Sequence, residues 1–316
     1  MTDFRRALVA SAPTRLDFGG GWTDVPPFPA ERGGFVCNVA INRRATVRLV
    51  ATPSGAASAD PLINAVMRHA NVDSVAIQIA SDFPVGAGLG GSSAAGVALA
   101  AALHAWRGEP INAAALAEWS RAVEVDELGI AGGRQDHYAA AFGGALALDF
   151  SADTKVERLP LSGPTRTALE RRCLLAYTGE SRISATTITA VLDAYGARSP
   201  RIVAALDRMA QLARHMRDAL LRGDIDDLAM LVHEHWTHQR SLHFAITTPR
   251  IDAIDTAASA AGALGMKALG ASGGGCVIVF APNDRVDDVA RAVAPLAELL
   301  PWGVDERGGV VVEDGD

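Results

Sequence analysis

The run Pro84-Val85-Gly86-Ala87-Gly88-Leu89-Gly90-Gly91-Ser92-Ser93 places four glycines within six residues and ends on two hydroxyls. Glycine tolerates positive φ and lets a ligand approach bare backbone amides. An alanine-rich segment follows, which favours helix. A glycine loop opening a helix makes a phosphate cradle, because the helix start offers free N–H groups and the positive end of its dipole. Ser92 and Ser93 can cap that helix, or offer a hydroxyl to a metal ion or a phosphate oxygen. No lysine follows the glycines, so the Walker A pattern fails. Gly86, Gly88 and Gly91 formally satisfy a dinucleotide fingerprint. Its acidic ribose partner would have to be Glu109, which sits in the loop Arg107-Gly108-Glu109-Pro110 and not at a strand end. A plain turn with an N-cap explains the serines but not the glycines. A phosphate loop outside the Walker class explains both.

Further groups along the chain invite chemistry. Asp136 follows Gly132-Gly133-Arg134-Gln135 and precedes the small-residue stretch Tyr138 to Ala141. Its carboxylate can orient or deprotonate a hydroxyl, or simply cap a helix. The cluster His233-Glu234-His235-Trp236-Thr237-His238 breaks the HExxH zinc pattern, and ordinary structural roles are expected for it. Arg182 and Arg240 are candidate clamps for a phosphate already on the substrate, or structural cations.

These groups need a scaffold. Ala7 to Ala12, Gly34 to Ile41, Ala45 to Ala51 and Ser74 to Ala80 read as strands, several with alternating apolar positions. Ser93 to Trp106 reads as a helix, and Asn112 as the N-cap of another over Ala113 to Glu127. Gly144 to Phe150 is strand-like. The polar segment Asp153 to Arg166, with Pro160 and Pro164, is the expected domain boundary. Beyond it, Cys173 to Tyr177 reads as a strand, and Arg201 to His243 as a long helix interrupted near Gly223. Ile251 to Gly262 and Val286 to Leu300 read as helices, with strands at Cys276 to Ala281 and Gly309 to Val312. Strands and helices interleave irregularly, which predicts an α+β fold with domains 1–160 and 161–316.

Composition limits the partners. The chain has 316 residues, 49% hydrophobic and 21% charged, enough for a substantial core. A net charge of −7 gives no electrostatic help toward nucleic acid or anionic lipid, so a small-molecule partner is favoured. Three cysteines without a CxxC pair indicate neither a disulfide framework nor a thiolate zinc site. No signal-peptide pattern or apolar membrane span is read, so a cytoplasmic location is expected.

Four segments in order resemble the GHMP-type small-molecule kinases. The glycine run resembles that family's ATP-phosphate motif. Ala12-Pro-Thr-Arg-Leu-Asp-Phe-Gly-Gly-Gly-Trp-Thr-Asp24 resembles its N-terminal substrate motif. Gly132-Gly-Arg-Gln-Asp-His-Tyr-Ala-Ala-Ala-Phe-Gly-Gly144 resembles the segment with its active-site aspartate, and Lys267-Ala-Leu-Gly-Ala-Ser-Gly-Gly-Gly-Cys276 its C-terminal glycine motif. Gly20-Gly21-Trp22-Thr23-Asp24-Val25-Pro26-Pro27-Phe28 and Tyr177-Thr-Gly-Glu-Ser-Arg182 resemble the branch of heptose-7-phosphate 1-kinases and fucose kinases. In galactokinase-like members an acid and a histidine stand where Gly21 and Trp22 stand here.

The resemblance implies a ribosomal-protein-like N-terminal domain, a ferredoxin-like C-terminal domain, and ATP between them. It implies transfer to a sugar hydroxyl, foremost the anomeric hydroxyl of a heptose 7-phosphate, with fucose-like sugars and cyclitols behind. Asp136 becomes the base and Arg15 the cation beside it. Glu124 and Ser92 become the Mg²⁺ ligands, with Glu127 as fallback for the acid. Pro84, Gly86, Gly88, Leu89, Gly90, Gly91, Ser92, Ser93, Gly273 and Gly274 are assigned to ATP. Gly21, Trp22, Thr23, Asp24 and Arg182 are assigned to the sugar. Two rivals stand beside this: a non-catalytic sugar and ATP sensor on the same fold, and a nucleotide-dependent oxidoreductase.

Overall fold

In the computed structural model the described residues are 7–52, 58–151, 153–180 and 185–313. The strands are β1 (Ala7–Gly19), β2 (Gly34–Ala51), β3 (Val75–Ser81), β4 (Ala145–Phe150), β5 (Thr154–Leu159), β6 (Cys173–Tyr177), β7 (Gly265–Ala268), β8 (Cys276–Phe280), β9 (Glu298–Leu300) and β10 (Val310–Glu313). The α-helices are α1 (Phe28–Arg32), α2 (Pro61–Ala70), α3 (Gly91–Arg107), α4 (Ala113–Ala122), α5 (Gln135–Phe142), α6 (Gly163–Arg172), α7 (Ala185–Gly196), α8 (Pro200–Arg222), α9 (Ile225–Leu242), α10 (Pro249–Ala260) and α11 (Val286–Val293).

A first sheet runs β10-β1-β2-β4-β5, with β3 also on β2, and a second runs β7-β8-β6-β9. The pairings are antiparallel throughout. One core lies between the first sheet and α2 to α5, where the alanines of α3 let that helix approach closely. A second core joins the two sheets through α8 and α9, and a third lies under the helices of the second sheet.

Local chemistry explains most ends. Asp60 and Asn112 accept N–H bonds at the starts of α2 and α4, and Gly108 closes α3 at φ 70°. Three expectations fail for tertiary reasons. The strand expected to stop at Ala12 continues to Gly19, because Pro13 falls at a register shift where no ladder donor is needed. Gly34 to Ala51 is one strand, whose residues 42 and 43 bulge opposite Pro13 and Thr14. The stretch expected as the end of a helix at Leu300 turns instead into β9, added to β6.

The polar segment after residue 153 is not a bare linker: it holds β5 and the start of α6. The strands from 173 to 300 form the second sheet, but β10 returns to pair with β1 in the first.

Candidate active site

β1 supplies the floor of the site. Successive residues of a strand face opposite sides, so Leu16 and Phe18 enter the core while Arg15 and Asp17 face a cleft of about 590 Å³. The glycine loop, residues 130 to 133 with 135 and 136, and the loop after β7 complete the lining, with Leu62, Ile79 and Phe83 on the side of α2 and β3.

The glycine loop turns through Gly86, Gly88 and Gly90 at φ of 72°, 71° and 74°. Its carbonyls face the protein: Cys276 donates to Ala87 O at 2.7 Å, Arg15 Nη1 to Gly88 O at 2.6 Å and Arg15 N to Leu89 O at 3.1 Å. The first helical bond of α3 is Ala94 N to Gly90 O, and no side chain caps the helix. The N–H groups of Gly91, Ser92 and Ser93 therefore remain available at a helix start, the arrangement that binds anions. Neither serine serves as an N-cap, since both lie inside the first turn. Leu89 is buried in the core and fixes the loop from behind.

Asp136 sits in the first turn of α5 with its side chain 26% exposed to the cleft. Arg15, itself buried, reaches Asp136 Oδ1 with both Nε and Nη2 at 2.8 Å. Burial raises the Asp136 carboxyl above its ordinary value, and the Arg15 guanidinium opposes that rise. Capping of α5 falls to Asp24, whose Oδ2 accepts the Gln135 N–H at 2.9 Å. Burial dominates at Asp24 and pushes its pKa up to about 6.

Glu124 follows α4 in a single π-helical turn, Val123–Glu127, marked by Leu128 N donating to Val123 O. The sequence pattern read this stretch as plain α-helix, but such wide turns gather at functional positions. Ser92 Oγ donates to Glu124 Oε1 at 3.1 Å, and His137 Nε2 lies 2.7 Å from Oε2. Ser120 Oγ lies 3.0 Å from the other ring nitrogen of His137. Burial alone would raise the Glu124 pKa; His137 with Ser92 and Ser93 outweighs it and holds the carboxyl below its ordinary value. Glu127 points away, paired with Arg68 and His69 of α2.

A family model for the GHMP kinase N-terminal domain matches residues 57–144, and one for the GHMP kinase C-terminal domain matches residues 216–296. The galactokinase of Mycobacterium tuberculosis is 32% identical over 73% of this chain and 70% of its own. The chain belongs to the GHMP kinases. The D-glycero-alpha-D-manno-heptose 7-phosphate kinase of Campylobacter jejuni is 25% identical over 91% of this chain and 93% of that one. A crystal structure of a D-glycero-D-manno-heptose 1-phosphate kinase from Bacteriodes thetaiotaomicron superposes with a TM-score of 0.78 at 26% identity, covering 98% of this chain and 100% of that one.

Its fold is the two-domain α+β fold of the GHMP kinases, and its activity is that of an ATP-dependent phosphotransferase with a hydroxyl acceptor. The dinucleotide alternative has no support in the topology: the loop follows β3 of an antiparallel sheet, without a parallel βαβ crossover.

The cleft of this GHMP kinase brings together Arg15, Gly21, Trp22, Asp24, Pro84, Gly86, Gly88, Leu89, Gly90, Gly91, Ser92, Ser93, Glu124, Asp136 and Gly274. Three other expectations change. Thr23 is fully buried, and its hydroxyl bridges Gly20 O and the Phe35 N–H, so it pins the turn and does not face a sugar. Gly273 donates its N–H to Ile246 O at 3.0 Å and is spent on the loop's own anchorage. Arg240 lies off the cleft, paired with Asp252 and Asp255 over the Trp236 ring. Arg182 lies outside the described residues. The histidine cluster is structural at its centre: buried His235 accepts the Gly20 N–H through Nε2 at 2.8 Å, and burial lowers its pKa to about 3.

Several site residues escaped the sequence reading. Asp17 was signalled only by standing two positions from Arg15 on one strand face. His137 was hidden beside Asp136. Leu62, Ile79 and Phe83 carry no local signal.

Proposed function

We propose that this GHMP kinase transfers the γ-phosphoryl group of ATP to the anomeric hydroxyl of a sugar, with D-glycero-D-manno-heptose 7-phosphate as the leading acceptor. One observation carries the transfer: the Arg15 guanidinium joins Gly88 O of the glycine loop to the Asp136 carboxylate. A single buried cation thus fixes the phosphate cradle and the acidic group relative to each other.

The residues fit Mg²⁺. Ser92 Oγ and Glu124 Oε1 are hard oxygens already 3.1 Å apart, and Mg²⁺ takes few protein ligands when phosphates supply the rest. Bound Mg·ATP supplies the phosphoryl group and neutralises part of its charge. The free amides at the start of α3 hold phosphate oxygens, and Leu62, Ile79 and Phe83 offer apolar walls for a purine. Asp136 orients the acceptor hydroxyl and takes its proton, and its raised pKa makes it a stronger base than an ordinary carboxylate. Arg15 keeps that carboxylate ionised and offsets charge near the transferred group.

The heptose assignment rests on the near full-length likeness to two heptose kinases and on the segment Gly20 to Asp24. The same segment favours a fucose-like sugar or cyclitol as the second reading. Galactose is not the proposed acceptor, because Gly21 and Trp22 replace the acid and histidine expected for it. No helix among the described residues is long and apolar enough to cross a membrane, and a cytoplasmic site of action suits an enzyme that draws on ATP. A panel of sugars and sugar phosphates, scored by phosphorus NMR, tests the proposal. A product phosphorylated at the anomeric carbon supports it; phosphorylation elsewhere on the sugar overturns the regiochemistry.

A further inference from the structure

Three buried polar atoms in the cleft wall have no hydrogen-bond partner among the described residues: Asp17 Oδ1, Trp22 Nε1 and Gln135 Oε1. Their residues are 2%, 7% and 7% exposed. Buried polar groups are nearly always satisfied, so three orphans in one wall call for a ligand. Asp17 and Gln135 also meet at one glycine, through atoms other than the orphans. A Cβ on Gly21 would lie 2.5 Å from Asp17 Oδ2 and 2.8 Å from Gln135 Nε2. Gly21 therefore lets both side chains close on the turn that carries Trp22.

The group is preorganised. Lys267, fully buried on β7, donates to Asp17 Oδ2 at 2.6 Å and to Asp17 O at 2.9 Å. That pair fixes the carboxylate and leaves Oδ1 as its unpartnered acceptor. Trp22 is held at φ 78°, a conformation rarely adopted by a bulky residue, and one that gathers at functional sites. The turn around it is tied by Thr23 N to Gly20 O and by His235 on the Gly20 N–H.

We infer that Asp17 and Gln135, with the Trp22 indole, form a subsite that reads hydroxyls next to the one phosphorylated. This rests on the proposed sugar-kinase reading and names the residues that select its acceptor. Asp17 Oδ1 and Gln135 Oε1 accept hydrogen bonds, while Trp22 Nε1 donates one. Neighbouring hydroxyls satisfy all three, because each can donate and accept. A carboxylate or phosphate can take only the indole and would face the Asp17 charge. The acceptor is therefore neutral and polyhydroxylated where it meets β1, and any phosphate it bears lies farther along the cleft. The Asp17 carboxyl is kept below its ordinary value because Lys267, with Arg15, outweighs the effect of burial.

The test compares wild type with Asp17→Asn, Trp22→Phe and Gln135→Met on D-glycero-D-manno-heptose 7-phosphate, L-fucose, D-galactose and mevalonate. KM is measured separately for acceptor and ATP, then repeated with monodeoxy forms of the best acceptor. Each substitution is expected to raise acceptor KM about tenfold to a hundredfold, leaving ATP KM within about twofold. For the deoxy sugar lacking the contacted hydroxyl, the penalty of that substitution should vanish. Should Asp17→Asn misfold by unpairing Lys267, the other two variants run the same comparison. A sugar phosphorylated with all acceptor KM values unchanged, or equal penalties for every deoxy form, overturns the subsite alone. Preference for mevalonate, or no phosphorylation of any of the four, overturns the sugar reading together with it.

Discussion

A Cβ on Gly90 would stand 2.9 Å from the carboxyl carbon of Asp136. The nucleotide loop and the proposed base thus touch backbone to carboxylate, and the contact exists only because Gly90 lacks a side chain and sits at φ 74°. Gly90→Ala should cost about 1–3 kcal/mol of stability and displace the carboxylate. Phosphotransfer is expected to fall by at least about tenfold, even at temperatures where the variant stays folded by circular dichroism. An alanine variant with wild-type turnover would show that this proximity is incidental.

Asp136→Asn keeps the shape of the side chain and removes the proposed base. The turnover number should drop about a hundredfold to ten-thousandfold, while binding of a non-hydrolysable ATP analogue, followed by calorimetry, stays near wild type. Equal turnover by the two proteins would remove Asp136 from the chemistry.

Arg15→Met should move the acid limb of the pH–rate profile upward. The guanidinium opposes protonation of Asp136, whose pKa burial already raises. Without it the carboxyl holds its proton to higher pH, so activity as a base is lost sooner as pH falls. A limb that stays in place, or moves down, contradicts the pairing as the source of that effect.

His137→Ala should weaken the proposed divalent site without itself being a ligand in it. Its ring holds Glu124 Oε2 at 2.7 Å and is itself steadied by Ser120. Partners of this kind are worth about tenfold to a hundredfold in metal affinity. Titration of Mn²⁺ by electron paramagnetic resonance, with an ATP analogue present, reads the loss independently of turnover, and His137→Gln should restore part of it.

Asp24 predicts a pH dependence of stability. Its pKa of about 6 lies above the unfolded value of 3.8, so the folded protein binds the extra proton. Stability from this group is present below about pH 4 and declines as pH rises to about 6. Asp24→Asn keeps an acceptor for the Gln135 N–H but removes this decline. Urea unfolding from pH 4 to 7 should show the variant gaining on wild type by about 1–3 kcal/mol, with the gain levelling off at about pH 7. Parallel curves would show that Asp24 titrates normally.

Local chemistry made much of this enzyme legible in the sequence. Glycines at 86, 88 and 90 need positive φ and supply it, and Asn112 caps α4 as its type suggests. What depends on distant partners was not visible. Thr23 and Asp24 are neighbours in one motif, yet the first staples a turn through Phe35 while the second caps a helix 111 residues away and faces the cleft. The glycines at 273 and 274 look alike in sequence, but only the first has its N–H taken by Ile246. The widened turn at Glu124 and the ring of His137 beneath it likewise arise from packing between α3, α4 and α5.

The return of β10 to β1 has a practical consequence for anyone cutting the chain. A fragment stopped after β9 would keep every residue of the cleft but strip the neighbour from Leu8–Ser11. That would leave a bare row of amides and carbonyls on an apolar border, the kind of rim that recruits other molecules into unwanted aggregates. Shortened versions intended for crystallisation or display should retain the final strand, however remote from the chemistry it looks.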